Sequence, residues 1–159
     1  MITFSDERNN LEFKLKISGR EFPEITTGDD SNWLIVESTI RTKDLNTNTS
    51  SPALEIPDLK DISLWFKSLS EGEKPKWYPE LGFMEPCLEF LVEHIDLKKA
   101  SIGVKLDLEF RPKTKSREDF IMHFTLSRNE LKKKSREFYE EYKRYLRINS
   151  KTQSVPHSS

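Results

Sequence analysis

Alternation of apolar and polar side chains predicts β-strands along most of this chain. Residues 11–17 alternate strictly between apolar and charged or polar types, which is typical of a strand with one buried face. Residues 33–40 are β-branched and start apolar on both faces, so they predict a more central strand. Residues 102–110 and 120–126 repeat the alternation. Residues 88–95 fit a helix as well as a strand, but the two strands that follow them favour an antiparallel meander of three.

A short helix is predicted in the middle of the chain. Residues 45–51, rich in Thr, Asn and Ser, predict a loop, and residues 53–56 predict a short strand that Pro57 ends. Asp58 is then the predicted N-cap, and Gly72 the predicted end of the helix. Four apolar residues follow one another at the spacing of an amphipathic helix, namely Ile62, Trp65, Phe66 and Leu69.

The C-terminal part predicts a long helix. Ser127 and Glu130 have the spacing of a capping box, and Leu126 and Leu131 are placed to form a hydrophobic staple around it. An apolar stripe then continues to about Arg147. Residues 149–159 are polar and without periodicity, which predicts a disordered tail.

Together these elements predict an α+β fold. We expect one antiparallel β-sheet of about six or seven strands, with one short central helix and one long C-terminal helix covering one side. Residues 1–148 would form a single domain and residues 149–159 the tail. By their periodicity, Trp33 and Trp65 are predicted to lie in the core.

The composition of the chain indicates the compartment in which we expect the protein. The chain has 159 residues, of which 33% are charged, and no run approaches the roughly 18 apolar residues of a membrane span. The N-terminal residues lack the basic start and apolar stretch of a signal peptide. A single cysteine, Cys87, excludes an internal disulfide and suits a reducing compartment, so we expect a cytoplasmic protein that does not associate with membranes.

Charge is distributed unevenly along the chain. Residues 1–110 contain 13 basic and 21 acidic side chains, whereas residues 111–159 contain 13 basic and 6 acidic ones. A surface of one sign can steer a molecule of the opposite sign, although the two faces could also mix on folding.

Candidate catalytic and metal-binding residues are few. His94 and His123 fall on predicted strands, and His157 falls in the predicted tail, with no ligand-like spacing to other metal-binding side chains. Cys87 could act as a nucleophile only if a histidine and an orienting group converged on it, and nothing in the sequence around it supports that. The five scattered glycines form no phosphate-binding loop. We therefore expect no catalytic residue, no metal and no cofactor.

Nucleic-acid binding is the alternative function. The predicted C-terminal helix and the loop before it carry many Lys and Arg side chains, and Tyr139 could add a stacking surface. Against this, Glu130, Glu137, Glu140 and Glu141 lie on the same helix at the spacing of ion pairs, and the whole-chain pI is about 6.3. Direct nucleic-acid binding is therefore not the interpretation we favour.

Four segments resemble one protein family. They are DDSNWLIV at 29–36, LWFKSLSEG at 64–72, FMEPCLEF at 83–90 and EFRP at 109–112. In this order and spacing they are similar to WapI-type immunity proteins of bacterial contact-dependent toxin systems. The resemblance covers about residues 11–126.

The resemblance implies a cognate inhibitor that performs no chemistry. Its partner would be the C-terminal domain of a cell-surface toxin, a nuclease that acts on transfer RNA. Acidic side chains could then occupy the basic surface with which the nuclease holds RNA. Our hypothesis for steering names Asp29, Asp30, Glu71, Glu73, Glu80 and Glu85. Trp77 and Tyr78, in a connection, are the hot-spot candidates, although Trp77 could equally close the edge of the core.

Overall fold

The computed structural model describes residues 1–25, 28 and 32–153, and their side chains as far as residue 148. Within these residues, eight strands and two helices make an α+β fold, as predicted. In chain order they are β1 (Ile2–Asp6), β2 (Leu11–Arg20), β3 (Trp33–Arg41), β4 (Asn46–Glu55), α1 (Ile56–Ser70), β5 (Glu80–Leu81), β6 (Leu88–Ile95), β7 (Lys99–Leu106), β8 (Phe120–Ser127) and α2 (Arg128–Gln153).

The first four strands form an antiparallel sheet in chain order. Strand β2 buries Phe13, Leu15 and Ile17 on one face, as its alternation predicts. The predicted loop at 45–51 is wrong, because β4 pairs with β3 from Asn46 to Glu55. Thr has a high strand propensity, and pairing with a neighbour outweighs the loop-like composition of this segment.

The last four strands form a second antiparallel sheet, β5-β6-β7-β8. The predicted meander of residues 88–95, 102–110 and 120–126 is confirmed by the pairing of β6 with β7 and of β7 with β8. Strand β7 stops earlier than predicted, at Leu106. Leu108 then takes a positive φ of 48° and starts a 3₁₀ turn, Leu108–Phe110, which still delivers Phe110 to the core.

Helix α1 begins earlier than the pattern indicates. Glu55, not Asp58, is its N-cap, and the Asp58 side chain accepts a hydrogen bond of 2.8 Å from the Glu55 backbone N–H as the other half of a capping box. Pro57 lies in the first turn, where its missing N–H costs nothing. The helix ends before Gly72, which has a φ of 73°, a value that favours glycine.

Helix α2 begins as predicted and runs further. The Ser127 hydroxyl accepts a hydrogen bond of 3.2 Å from the Glu130 N–H, and a Glu130 carboxylate oxygen accepts one of 3.3 Å from the Ser127 N–H. The helix continues to Gln153, beyond the predicted end near Arg147. Residues 149–153 are therefore helical, and residues 154–159 lie outside the described part of the chain.

The helices pack together antiparallel. The Ser63 hydroxyl donates to the Ser135 carbonyl at 2.7 Å, and the Ser135 hydroxyl donates to the Ser63 carbonyl at 2.8 Å. At the other end, Arg128 Nε donates to the Ser70 carbonyl at 2.9 Å. Small side chains at the crossing allow the two backbones to approach closely.

One core joins both sheets to both helices. The Phe4 ring, on β1, lies 5.8–6.0 Å from the rings of Phe66 on α1, Phe90 on β6 and Phe124 on β8. Phe66 in turn stacks on Phe138 of α2 at 5.9 Å. In the described part of the chain, the strands thus form two sheets of four, where we expected one sheet of six or seven, but they share a single hydrophobic core.

Candidate functional site

Six of the eight predicted toxin-binding residues lie in the connection between α1 and β6. Glu71 and Glu73 follow the end of α1, Trp77 and Tyr78 lie in the middle, and Glu80 and Glu85 precede β6. Asp29 and Asp30 lie outside the described residues. The residues that sequence reasoning named as a set therefore come largely from one segment, residues 71–85.

Backbone and indole hydrogen bonds hold this segment in place. The buried Trp65 side chain donates from Nε1 to the Trp77 carbonyl at 2.7 Å. The Val92 N–H donates to the Pro79 carbonyl at 2.8 Å, and Leu81 pairs with Phe90 of β6. A fixed loop presents its side chains without a large ordering cost when a partner binds.

Trp77 and Tyr78 have different surroundings. Trp77 is partly buried against the core, whereas Tyr78 is 44% exposed. Each ring carries a lysine above it, Lys76 Nζ at 4.9 Å from the Trp77 centroid and Lys74 Nζ at 5.0 Å from that of Tyr78. Trp77 thus contributes to the edge of the core, and Tyr78 offers an aromatic surface to solvent.

The acidic side chains of the segment differ in exposure. Glu71, Glu73 and Glu80 are exposed, and Glu85 is half-buried. Glu80 faces Glu89 of β6, whose pKa is raised by burial, by a hydrogen bond with Glu80 and by the charge of Glu80, while Lys105 lowers it. Glu80 is therefore a member of a carboxylate pair, and Glu71 and Glu73 are the simpler steering groups.

An exposed leucine adjoins this segment. Leu64 of α1 is 48% exposed beside a groove of about 250 Å³ that Lys60, Lys76 and Trp77 also line. Lys60 Nζ lies 6.0 Å from the ring centroid of Tyr142 on α2. Leu64 was not among the binding residues predicted from the sequence, although its position outside the stripe of Ile62, Trp65, Phe66 and Leu69 was a usable signal.

Glu85 lies in a different groove, which the sequence did not predict. It lines a space of about 350 Å³ together with Glu21, Phe22, Trp33, Ser51 and Pro52. Trp33 is half-buried there, so its predicted place in the core is wrong. On β3 it alternates with the buried Leu34 and Val36 and therefore faces away from the core. The prediction for Trp65 is confirmed, since it is 1% exposed.

Cys87 is unsuited to act as a nucleophile. It is buried, and its Sγ donates a hydrogen bond of 3.3 Å to Glu109 Oε2. Burial first, and then the hydrogen bond and charge of Glu109, raise the pKa of the thiol to about 12. The thiol consequently stays protonated at neutral pH, whereas a nucleophilic cysteine needs its thiolate.

The two histidines among the described residues, His94 and His123, pair with surface carboxylates. His123 Nδ1 lies 2.6 Å from Glu93 Oε2, and His94 Nε2 lies 3.1 Å from Asp96 Oδ2. Within residues 1–25, 28 and 32–153, no three His, Cys, Asp or Glu side chains are arranged to hold a metal ion. None of the helices in that part of the chain is both long and apolar enough to cross a membrane.

The basic side chains of α2 are partly neutralised on the helix itself. Lys134, which is buried, pairs with Glu137 at 3.2 Å. Lys143 pairs with Glu140 at 3.0 Å, and Arg144 lies 3.9 Å from Glu141. The helix thus combines both signs of charge along its length and does not form a uniformly basic stripe.

Comparison with known proteins now adds the decisive observation. The model of the WapI-like immunity protein family matches residues 1–146. The chain belongs to this family. The match contains both sheets, α1 and most of α2. In this WapI-like chain the family region therefore extends beyond residues 11–126, which the resemblance covered. Searches of curated proteins and of solved structures found no match.

Proposed function

We propose that this chain binds and neutralises the C-terminal nuclease domain of a cognate cell-wall-associated, contact-dependent toxin. The family match over residues 1–146 carries the proposal, because it is a family of immunity proteins. The target would be a nuclease of transfer RNA, as the resemblance implies. Inhibition would occur in the cytoplasm of the producing cell and its siblings, by occlusion and without any bond made or broken in the immunity protein.

Exposed carboxylates support this proposal. Glu71 and Glu73 stand at the solvent-facing end of α1, and Glu80 follows in the same connection. A nuclease holds RNA with basic side chains, so carboxylates can take the place of phosphates on that surface. Complementary charge can raise association towards ~10⁸–10⁹ M⁻¹s⁻¹, a benefit when few toxin molecules must be caught before they cut RNA.

Tyr78 is suited to provide binding energy at the same place. It is exposed, and the hydrogen bonds of the adjacent Trp77 and Pro79 carbonyls fix the backbone on both sides of it. An ordered aromatic side chain that is buried on binding is the typical centre of a protein interface. Residues 71–80 would then both attract the toxin domain by charge and slow its release through an aromatic contact.

Co-expression tests the proposal directly. The toxin domain encoded with this chain should arrest growth alone, and the chain should restore growth and co-purify with that domain. The nucleic-acid alternative is tested in parallel by filter binding of purified chain to transfer RNA at low and high salt, where we expect no retention at either. Loss of both rescue and co-purification, or tight salt-sensitive RNA binding without rescue, would contradict the proposal.

A further inference from the structure

The groove around Glu85 combines aromatic walls with carboxylates. Phe22 and Trp33 supply the rings, Ser51 and Pro52 of β4 line the space beside them, and Glu21 and Glu85 add their acidic side chains. All six residues are half-buried, so the groove is concave and open to solvent. Its volume of about 350 Å³ is enough to receive one long side chain.

Arg20 fixes the segment that carries Phe22. Its guanidinium is largely buried and donates to the carbonyls of Pro23 and Ile25. The Ile25 N–H donates to the Phe22 carbonyl at 3.1 Å, which closes a turn. Because this turn is held by the protein itself, the Phe22 wall is in place before any partner binds.

Backbone pairing fixes the position of Trp33. The Glu21 N–H donates to the Trp33 carbonyl at 2.9 Å, which continues the pairing of β2 with β3 past its last residue. Strand β4 shifts register between the partners of Leu34 and Ile35, next to Pro52. Such a bulge bends the strand locally, and here it lies beside the Trp33 side chain.

The chemistry of this groove suits a planar cation. Aromatic faces attract cations, Trp most strongly, and a guanidinium can stack on an indole while it donates hydrogen bonds to carboxylates. An ammonium would find the same charge but could not stack, so arginine fits better than lysine. A neutral or acidic side chain of a ligand would bring no positive charge to Glu21 and Glu85.

We propose that this groove binds an arginine side chain of the toxin domain, as an anchor separate from the 71–80 segment. The occupant rests on the proposed function, since a domain that holds RNA presents arginine on its surface. The contact residues in this groove would be Glu21, Phe22, Trp33 and Glu85. Of these four, only Glu85 was among the toxin-binding residues predicted from the sequence.

A first experiment uses the free protein and needs no toxin. Acetyl-arginine amide is titrated at low salt while the three tryptophan indole N–H signals are followed by NMR, with acetyl-citrulline amide as the neutral isostere. We expect arginine amide to move the Trp33 signal and leave that of the buried Trp65 in place. We expect citrulline amide to move neither, and Glu21→Gln/Glu85→Gln to abolish the arginine effect. Equal shifts from both ligands, or none at Trp33, would overturn the groove as an arginine site.

A second experiment measures affinity for the toxin domain. Glu21→Gln/Glu85→Gln should weaken binding about tenfold, and Trp33→Leu should weaken it similarly while keeping an apolar side chain there. The matched control, Glu7→Gln/Asp44→Asn, changes two exposed acids toward the other end of the same sheet and should bind as the unmodified chain does. Unchanged binding by the groove variants would overturn this proposal and leave the proposed function standing. Absence of toxin binding by the unmodified chain would overturn both.

Discussion

Tyr78 and Trp77 are neighbours in the chain, but the fold exposes the first and partly buries the second. Tyr78 is 44% exposed, so Tyr78→Ala should leave the unfolding midpoint within about 2 °C of the unmodified value. It should nevertheless weaken toxin binding at least tenfold, because an exposed, ordered aromatic is the type of residue that anchors interfaces. Thermal unfolding and titration calorimetry on the same preparations would measure both effects.

Trp77→Ala is the matched comparison. This ring is partly buried against the core, so its removal should lower the free energy of unfolding by about 1–3 kcal/mol. The assignment of Trp77 to the core and of Tyr78 to the interface would be wrong if two results were obtained together. These are that Trp77→Ala does not lower the free energy of unfolding and that Tyr78→Ala does not change the toxin affinity.

The reactivity of Cys87 tests whether its thiol is buried as the structure shows. Because burial raises the pKa of its thiol to about 12, the native protein should react with a thiol reagent at pH 8 at least a hundredfold more slowly than the unfolded chain. Reaction with Ellman's reagent, with and without denaturant, measures the ratio. Rapid labelling of the native protein would show that the thiol is accessible and ionisable.

Single residues also show what the sequence pattern could and could not determine. Trp65 was predicted to be buried because it shares a helical stripe with Ile62, Phe66 and Leu69. Trp33 begins a strand with apolar residues on both faces, and such a strand does not reveal which of its faces is covered. In the structure the helices lie on the side of Leu34 and Val36, which leaves Trp33 on the outer face.

At the scale of the element, the start of α1 should respond to pH. Burial raises the pKa of Asp58 from 3.8 to about 6, with smaller contributions from the charges of Glu55 and Asp61 and an opposing hydrogen bond from the Glu55 backbone. The folded state therefore holds this proton more tightly than the unfolded state does. The stabilisation from Asp58 should be present below about pH 4 and be lost as the pH rises through about 6.

Asp58→Asn tests this linkage, because an amide oxygen can still accept the Glu55 N–H but does not titrate. Relative to the unmodified chain, the variant should gain about 1 kcal/mol between pH 4 and pH 7 after allowance for partial solvent exposure. Urea unfolding at both pH values measures it, with Asp44→Asn as a surface control. A difference that stays constant or shrinks with pH would contradict the assignment.

Elements with strong local signals were predicted best. The capping box of Ser127 and Glu130 fixes the start of α2, and the alternation of β2 and β8 fixes their inward faces. The first part of strand β4, residues 46–51, was predicted as a loop and only residues 53–56 as a strand, because nothing local distinguishes a Thr, Asn and Ser loop from an edge strand of the same composition. The distinction comes from β3, which lies alongside it only after folding.

At the scale of the whole molecule, charge on the α1–β6 connection should control encounter with the toxin. Reversal of its three exposed acids, as Glu71→Lys/Glu73→Lys/Glu80→Lys, should slow association by about tenfold or more at low salt and flatten its salt dependence. Stopped-flow fluorescence at several salt concentrations measures both quantities.

Glu7→Lys/Asp44→Lys/Glu118→Lys is the matched control, since it changes the net charge equally at other exposed positions. If both triple variants slow association to the same extent, net charge and not this connection would control it, and the proposed steering surface would be wrong.

The division into two sheets could not be predicted from the sequence. Periodicity identifies strands one at a time, whereas the separation between β4 and β5 depends on where α1 and the connection direct the chain. The candidate surface was predictable in part, since loop position and residue type pointed to 71–85. The Phe22–Trp33 groove was not, because it joins residues of four separate segments, 21–22, 33, 51–52 and 85.

If the chain inhibits the toxin by covering it, inhibition should require one molecule of the chain for each toxin molecule. Purified toxin domain should be mixed with increasing amounts of the chain, and the cleavage of transfer RNA measured at each ratio. We predict that cleavage falls linearly and stops when the two proteins are equimolar, because each inhibitor molecule can cover one toxin molecule. Complete inhibition by a small fraction of an equivalent would indicate a catalytic action, and undiminished cleavage at an excess of the chain would show that it does not neutralise this toxin.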